Sequence, residues 1–175
     1  WKSRKDGWVI KQIYRNYLEI KSLKELKEIK KPSEIYSIEK VNPKDFQLNK
    51  FFYKQIGKNH QWIDRLSWTD QNWVNYISDP KLSTYILKEK EDMVGYFELI
   101  FYPDKREVEV AYLGILENYF GKKLGGYLLS EAIKLSFSIG SLRMWVHTSS
   151  LDHNNALKNY IARGMKIFKT ETLTK

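Results

Sequence analysis

Residues 113–129 read LGILENYFGKKLGGYLL, and the order of residue types along them decides the fold. An apolar, strand-like run gives way to a tight turn, then to Gly121, Gly125 and Gly126 interspersed with Lys122 and Lys123, then to a helical pattern. A strand that enters a helix through glycines points backbone N–H groups and the positive end of the helix dipole at one spot. Phosphate can approach there because glycine has no Cβ, and the lysines add mobile positive charge. The same glycines also suit close packing of helix on strand, so the spacing leaves an anion cradle and a packing device both open.

Working outward, the helix is predicted from Gly121 to Gly140, with Leu124, Leu128, Ala132 and Leu135 three or four apart and Gly140 as its stop. RMWVHTSS (143–150) then reads as a strand, HNNALKNYIARG (153–164) as a helix closed by Gly164, and MKIFKTETL (165–173) as a final strand. Upstream, TYILKEKED (84–92), MVGYFELIFY (93–102) and REVEVAYLGIL (106–116) suit an antiparallel meander with turns at Glu91-Asp92 and Pro103-Asp104. Before them, SEIYSIEKV (33–41) alternates like a half-buried strand. FQLNKFFYKQI (46–56) and DQNWVNYIS (70–78) read as short helices, opened near Asp45 and at Thr69 or Asp70. Residues 1–31 form an N-terminal strand/helix extension, with IYRNYLEI (13–20) as its strand and a polar helical turn reaching Lys31. Beyond it the order β, α, α, β, β, β, α, β, α, β defines one mixed α/β domain over 1–175, in which a meander feeds a helical crossover and hence a parallel strand pair.

Composition excludes several classes. The chain has 175 residues and 26 Phe, Tyr and Trp residues between them, ample material for a core. It has no Cys, which removes disulfides, thiol nucleophiles and thiolate metal sites, and its three His make a dedicated metal enzyme unexpected. No run is long and apolar enough to span a bilayer, and WKSRKDGWVIKQIYR lacks the apolar core of a secretory signal, so a cytoplasmic protein is expected. Of the net charge of +9, most sits in residues 1–50, which hold 13 Lys/Arg against 7 Asp/Glu. Glu25 and Glu28 break up the basic run LKELKEIKK (23–31), as on a solvated helix face. No string of aromatics interleaved with Lys/Arg of the kind that binds RNA is visible, so a nucleic-acid partner is not expected, whereas aromatic-rich surfaces make a homodimer plausible.

The loop resembles the pyrophosphate loop of the GNAT superfamily of acyl-coenzyme A dependent N-acetyltransferases, Arg/Gln-x-x-Gly-x-Gly/Ala between a strand and a helix. Its six positions here are Phe120, Gly121, Lys122, Lys123, Leu124 and Gly125; Phe120 replaces the usual Arg or Gln, and Lys123 the usual first Gly of the pattern. ALKNYIARGM (156–165) is similar to the superfamily's C-terminal signature, with Ala156, Tyr160 and Gly164 matching, and with His153 and Met165 standing where Asn and Phe are usual. AYLGILENYFGKKLGGYLL, WVHTSSLDH, NHQWIDRLSW and RNYLEIKSLKEL extend the resemblance, to one bacterial GNAT subfamily, over nearly the whole chain. It implies a mostly antiparallel twisted sheet with a parallel, splayed strand pair flanked by about four helices. It also implies acetyl-CoA as cosubstrate, with no metal, and direct attack by a primary amine of a small molecule or peptide.

Site residues follow from that resemblance. Pantetheine would bind along Leu113, Gly114, Ile115 and Leu116 in the gap opposite Arg143–Thr148, and the coenzyme's phosphates along Phe120 to Gly126, with His153, Asn155 and Tyr160 nearby. The resemblance makes Tyr160 the acid that returns a proton to the thiolate; the alternative is a Tyr packed on the helix's core face. For the base, Glu109 alternates with Val108 and Val110 and would share a face with Ala111 and Leu113, or else is a solvated edge carboxylate. His147 is the rival, or else a ring fixed beside Asp152. NHQWIDRLSWTDQNW (59–73) packs Trp62, Trp68 and Trp73 with His60, Asp64, Arg65 and Asp70, either to cup an acceptor or to cap the core. Trp62, Trp68, Tyr96, Tyr112 and Trp145 are the acceptor-pocket candidates.

Overall fold

The computed structural model describes residues 12–173; the first eleven residues of the expected extension, with the reading of their hydropathy, lie outside the described residues. These residues form a seven-stranded sheet and four α-helices: β1 (Ile13–Ile20), β2 (Tyr36–Lys40), α1 (Phe46–His60), α2 (Asp70–Ile77), β3 (Leu82–Glu89), β4 (Asp92–Tyr102), β5 (Glu107–Ile115), α3 (Leu124–Ser138), β6 (Arg143–Ser149), α4 (Asn154–Ala162) and β7 (Lys166–Leu173). The sheet order is β2-β3-β4-β5-β6-β1-β7. Among the described residues only β5 and β6 pair in parallel. The meander, the crossover through α3 and the mostly antiparallel sheet agree with the expected fold class. No helix among the described residues is long and apolar enough to cross a membrane.

Neighbouring residues of a strand project to opposite faces, and the core divides accordingly. Leu87, Phe97, Leu99, Val108, Val110, Met144 and Val146 pack with Leu124, Leu128, Leu129, Ala132 and Ile133 of α3. Ile86 and Tyr96 pack on the other face against Phe52 and Ile56 of α1. β4 is therefore covered on both sides, the reason its sequence reads as an almost unbroken apolar run.

Three details differ from the sequence reading. The strand at 13–20 is no appended extension: β1 lies between β6 and β7, antiparallel to both, and buries Leu18 and Ile20. The turn after it is a short 3₁₀ segment at Leu23–Glu25, capped by Ser22, and does not continue to Lys31. α3 starts at Leu124, not Gly121, because Gly121 (φ 83°) and Lys123 (φ 62°) adopt left-handed backbone that a right-handed helix cannot include.

Candidate active site

β5 and β6 stay together for three residue pairs, Glu107 with Arg143, Val108 with Met144 and Glu109 with Trp145, and then part. On the other edge of β5 the register slips, Leu99 facing Val110 but Glu98 facing Tyr112, so Ala111 is an extra residue. Such a bulge bends a strand and breaks its alternation. Two cavities lie along the parted strands, and His60, Leu113 and Tyr160 line both.

The first cavity runs from Leu113, Gly114 and Ile115 past Tyr119, Phe120 and Gly121 to Lys123, Leu124, Gly125 and Gly126, with His153, Asn155, Ala156 and Asn159 opposite. The amides of Leu124, Gly125 and Gly126 precede the first intrahelical bond of α3, from Tyr127 N to Lys123 O at 3.3 Å, and no side chain caps them. A Cβ at Gly121 would meet nothing within 4 Å, and at Gly125 only the Asn159 amide at 3.7 Å. Free amides, open space and cationic Lys123 fit a diphosphate, so the chain's own residues suit a coenzyme A group. Asn159, which sequence reasoning missed, donates from Nδ2 to Gly125 O (3.0 Å) and fastens α4 to this turn. His153 caps α4 through Nδ1, which accepts from Asn155 N (3.1 Å), doing the work of the Asn usual there. Leu116 and Lys122 fall outside this lining; Lys122 lies 4.0 Å from Glu89.

The second cavity takes in Ile13, Arg15, Trp62, Asp64, Ala111, Tyr112, His147 and Asp152. Its wall from α1 is held by a buried ion pair. Arg65, 6% exposed, lies 3.1 Å from Glu98, which is 0% exposed and also accepts from Tyr76 (2.6 Å) and Asn49 (2.7 Å). The guanidinium sits over the rings of Tyr76 (4.0 Å) and Tyr112 (4.4 Å), while the Arg65 amide donates to the Tyr53 hydroxyl (2.9 Å). Burial opposes the charge on Arg65, but Glu98 outweighs it and holds its pKa above the usual arginine value. The loop after α1 is thereby fixed with Trp62 against Tyr112, ring centroids 4.6 Å apart.

Among the acceptor candidates, Trp62 and Tyr112 reach this cavity and three others do not. Trp68 packs on Trp73 and Arg65. Tyr96 is fully buried, stacked on Phe52 at 4.9 Å. Trp145 lies with Tyr17 and His147 on the sheet face beyond α1 and α2, its buried Nε1 without a partner among the described residues.

The proton-handling candidates also separate. Tyr160 is buried between the two cavities; burial first, and the Asp152 charge second, raise its pKa, so the hydroxyl keeps its proton at neutral pH. Glu109 lines neither cavity and accepts from the Tyr102 hydroxyl at 2.8 Å; the bulge at Ala111 puts Leu113 in the α3-side core, so the face it was expected to share with Glu109 is broken. His147 lines the second cavity, and its desolvation there together with Arg15 lowers its pKa. Asp152 is not the partner of His147: it binds His60, Nδ1 to Oδ1 at 2.5 Å, while accepting from His153 N (2.9 Å) and Thr148 Oγ1 (3.0 Å). Nothing in the sequence links His60 to a residue 92 positions away. Among the described residues no group of three or more His, Asp or Glu could hold a metal ion.

With this geometry go several likenesses. The model of the Acetyltransferase (GNAT) family matches residues 38–165. An "Uncharacterized N-acetyltransferase" of Mycobacterium tuberculosis and its Mycobacterium bovis counterpart are 28% identical over 100 residues, which is 57% of this chain and 63% of theirs, so the match spans less than two thirds of these curated relatives. A GCN5-related N-acetyltransferase from Sphaerobacter thermophilus superposes with TM-score 0.72 at 13% identity, over 99% of this chain and 54% of that one. An aminoglycoside acetyltransferase from an uncultured soil sample, solved with trehalose, gives 0.62 at 12% identity, over 76% of this chain and 90% of its own. At these identities the solved structures bear on the fold alone.

Proposed function

The chain belongs to the acetyltransferase (GNAT) family, and from that premise we propose that it moves the acetyl group of acetyl-CoA onto a primary amine of a small molecule or peptide by direct attack. One observation carries the proposal: a glycine-lined cavity with free helix amides and a second cavity that includes Arg15, Asp64, His147 and Asp152 meet between parted parallel strands, with Tyr160 at the junction. The unpaired edge of β5 at Leu113, Gly114 and Ile115 offers backbone groups to the pantetheine amides as an adjoining strand would. The thioester then lies beside Tyr160, and the amine enters past Trp62, Tyr112 and Asp64.

Catalysis in such a site is mostly positioning, which accounts for roughly 7–11 kcal/mol of barrier when two reactants are held in line. As the amine nitrogen bonds to the acetyl carbon and the carbon–sulfur bond breaks, one proton leaves the nitrogen and one reaches the sulfur. Tyr160 gives the second. Thiol release from acetyl-CoA over a panel of primary amines tests the reaction. Tyr160→Phe should lower kcat by about 100-fold, the scale of a lost general acid, with acetyl-CoA affinity within threefold by calorimetry. Tight coenzyme binding with no turnover on any amine would instead mark a sensor of acyl-CoA.

A further inference from the structure

The geometry points to His60 as the group that takes the proton from the attacking amine, with Asp152 as its positioning residue, an inference that rests on the acetyl-transfer function proposed for the same site. His60 ends α1, and its side chain, 11% exposed, is flanked by the rings of Trp62 and His153, centroids 5.1 and 5.4 Å away. Both rings pack against the imidazole in tilted geometry, at 39°. One edge is spent on Asp152, whose carboxylate is held in turn by the His153 amide and the Thr148 hydroxyl. A carboxylate only accepts, so the proton of a neutral His60 sits on Nδ1 and the lone pair on Nε2. That second edge belongs to a ring lining both cavities, as does Tyr160.

The two proton transfers then have separate owners. The amine gives its proton to Nε2 of His60 as the nitrogen–carbon bond forms, and the sulfur takes the Tyr160 proton as the carbon–sulfur bond breaks. Return of the imidazolium proton to the tyrosinate through solvent resets both groups, so the products are the amide and free thiol with nothing left over. Glu109 lines neither cavity, and His147 lines only the acceptor one.

The charged and titratable groups that share the cavities of His60 are Asp152 and His153 just before α4, Tyr160 on α4, Asp64 after α1, Tyr112 on β5, Arg15 on β1, His147 on β6, and Tyr119 and Lys123 before α3. A pH–rate profile of kcat/KM with acetyl-CoA and the best amine separates His60 from them. In the wild type the acid-side slope reports two protons, the amine's and the base's; in His60→Gln it should fall to one, with kcat down roughly 100-fold or more and acetyl-CoA affinity within threefold. Asp152→Asn should keep the slope, shift its midpoint and lower kcat about tenfold. A His60→Gln enzyme within threefold of wild-type kcat, or with the slope unchanged, overturns the proposal. Should that variant not fold by circular dichroism, Asp152→Asn decides alone, and wild-type kcat with an unmoved midpoint overturns it. No thiol release by the wild type with any amine removes the acetyl-transfer function itself, and this inference with it.

Discussion

Lys123 illustrates what a single residue imposes. It takes the left-handed conformation (φ 62°, ψ 15°) immediately before α3, where the family pattern has glycine. An L-residue there costs about 1–2 kcal/mol through contact of Cβ with the next carbonyl, and part of this is recovered because lysine is less flexible than glycine in the unfolded chain. Lys123→Gly should therefore raise stability by about 0.5–1 kcal/mol, seen as a higher urea midpoint at unchanged slope. Because the cradle is made of backbone amides, acetyl-CoA affinity should fall no more than severalfold, the share of one mobile charge; a loss of binding would mean that the lysine Nζ, and not the loop, holds the phosphates. The strain could be read from the aligned pattern, since a lysine at a glycine position must pay for it. The pairing of His60 with Asp152 could not, for it depends on where α1 ends relative to a loop on the far side of the parted strands.

At the scale of elements, the buried Arg65–Glu98 pair joins the loop after α1 to the middle of β4. The run MVGYFELIFY reads as a strand whether or not its glutamate is counted, so the sequence reveals the strand but not the carboxylate's partners; those come from Asn49 on α1, Tyr76 on α2 and Arg65 between them. The helices and strands themselves were legible because capping and alternation are local. Thr69 caps α2 with Asn72 reciprocating, and Asp45 caps α1. The bulge at Ala111 was not legible, because a register slip belongs to the pairing of two strands. Glu98→Ala leaves Arg65 charged and buried without its partner, a loss of about 3–5 kcal/mol. Urea unfolding should show it, and the amine KM should rise more than the affinity for acetyl-CoA falls, since the freed loop carries Trp62. Equal damage to both would mean that the pair supports the whole sheet and not one wall of the site.

For the whole molecule, the consequence of the parted strands is mechanical. Among the described residues the sheet consists of a four-stranded part, β2 to β5, and a three-stranded part, β6, β1 and β7. The β5–β6 ladder between them is confined to the three pairs at Glu107–Glu109, with Leu142 N donating to Arg106 O beside it and the Arg143–Glu107 ion pair, the His60–Asp152 bond and the packing of α3 also linking the two parts. That α3 crosses from one part to the other was deducible from the crossover itself, because parallel strands need a long connection; that β1 completes the three-stranded part was not, because a non-local pairing leaves no periodic trace. A coenzyme whose pantetheine lies in the gap adds the missing strand and so stiffens both parts at once. At a concentration one hundred times its dissociation constant, acetyl-CoA should stabilise the fold by about 2.7 kcal/mol, which for a chain of this size is a melting shift of about 5–10 °C. Amide hydrogen exchange tells where that stabilisation goes. Protection should increase on both lips of the gap, at Leu113–Leu116 and at Val146–Ser149, as well as at Leu124–Gly126; an increase confined to Leu124–Gly126 would mean that only the diphosphate is held and that the parted strands do not receive the coenzyme.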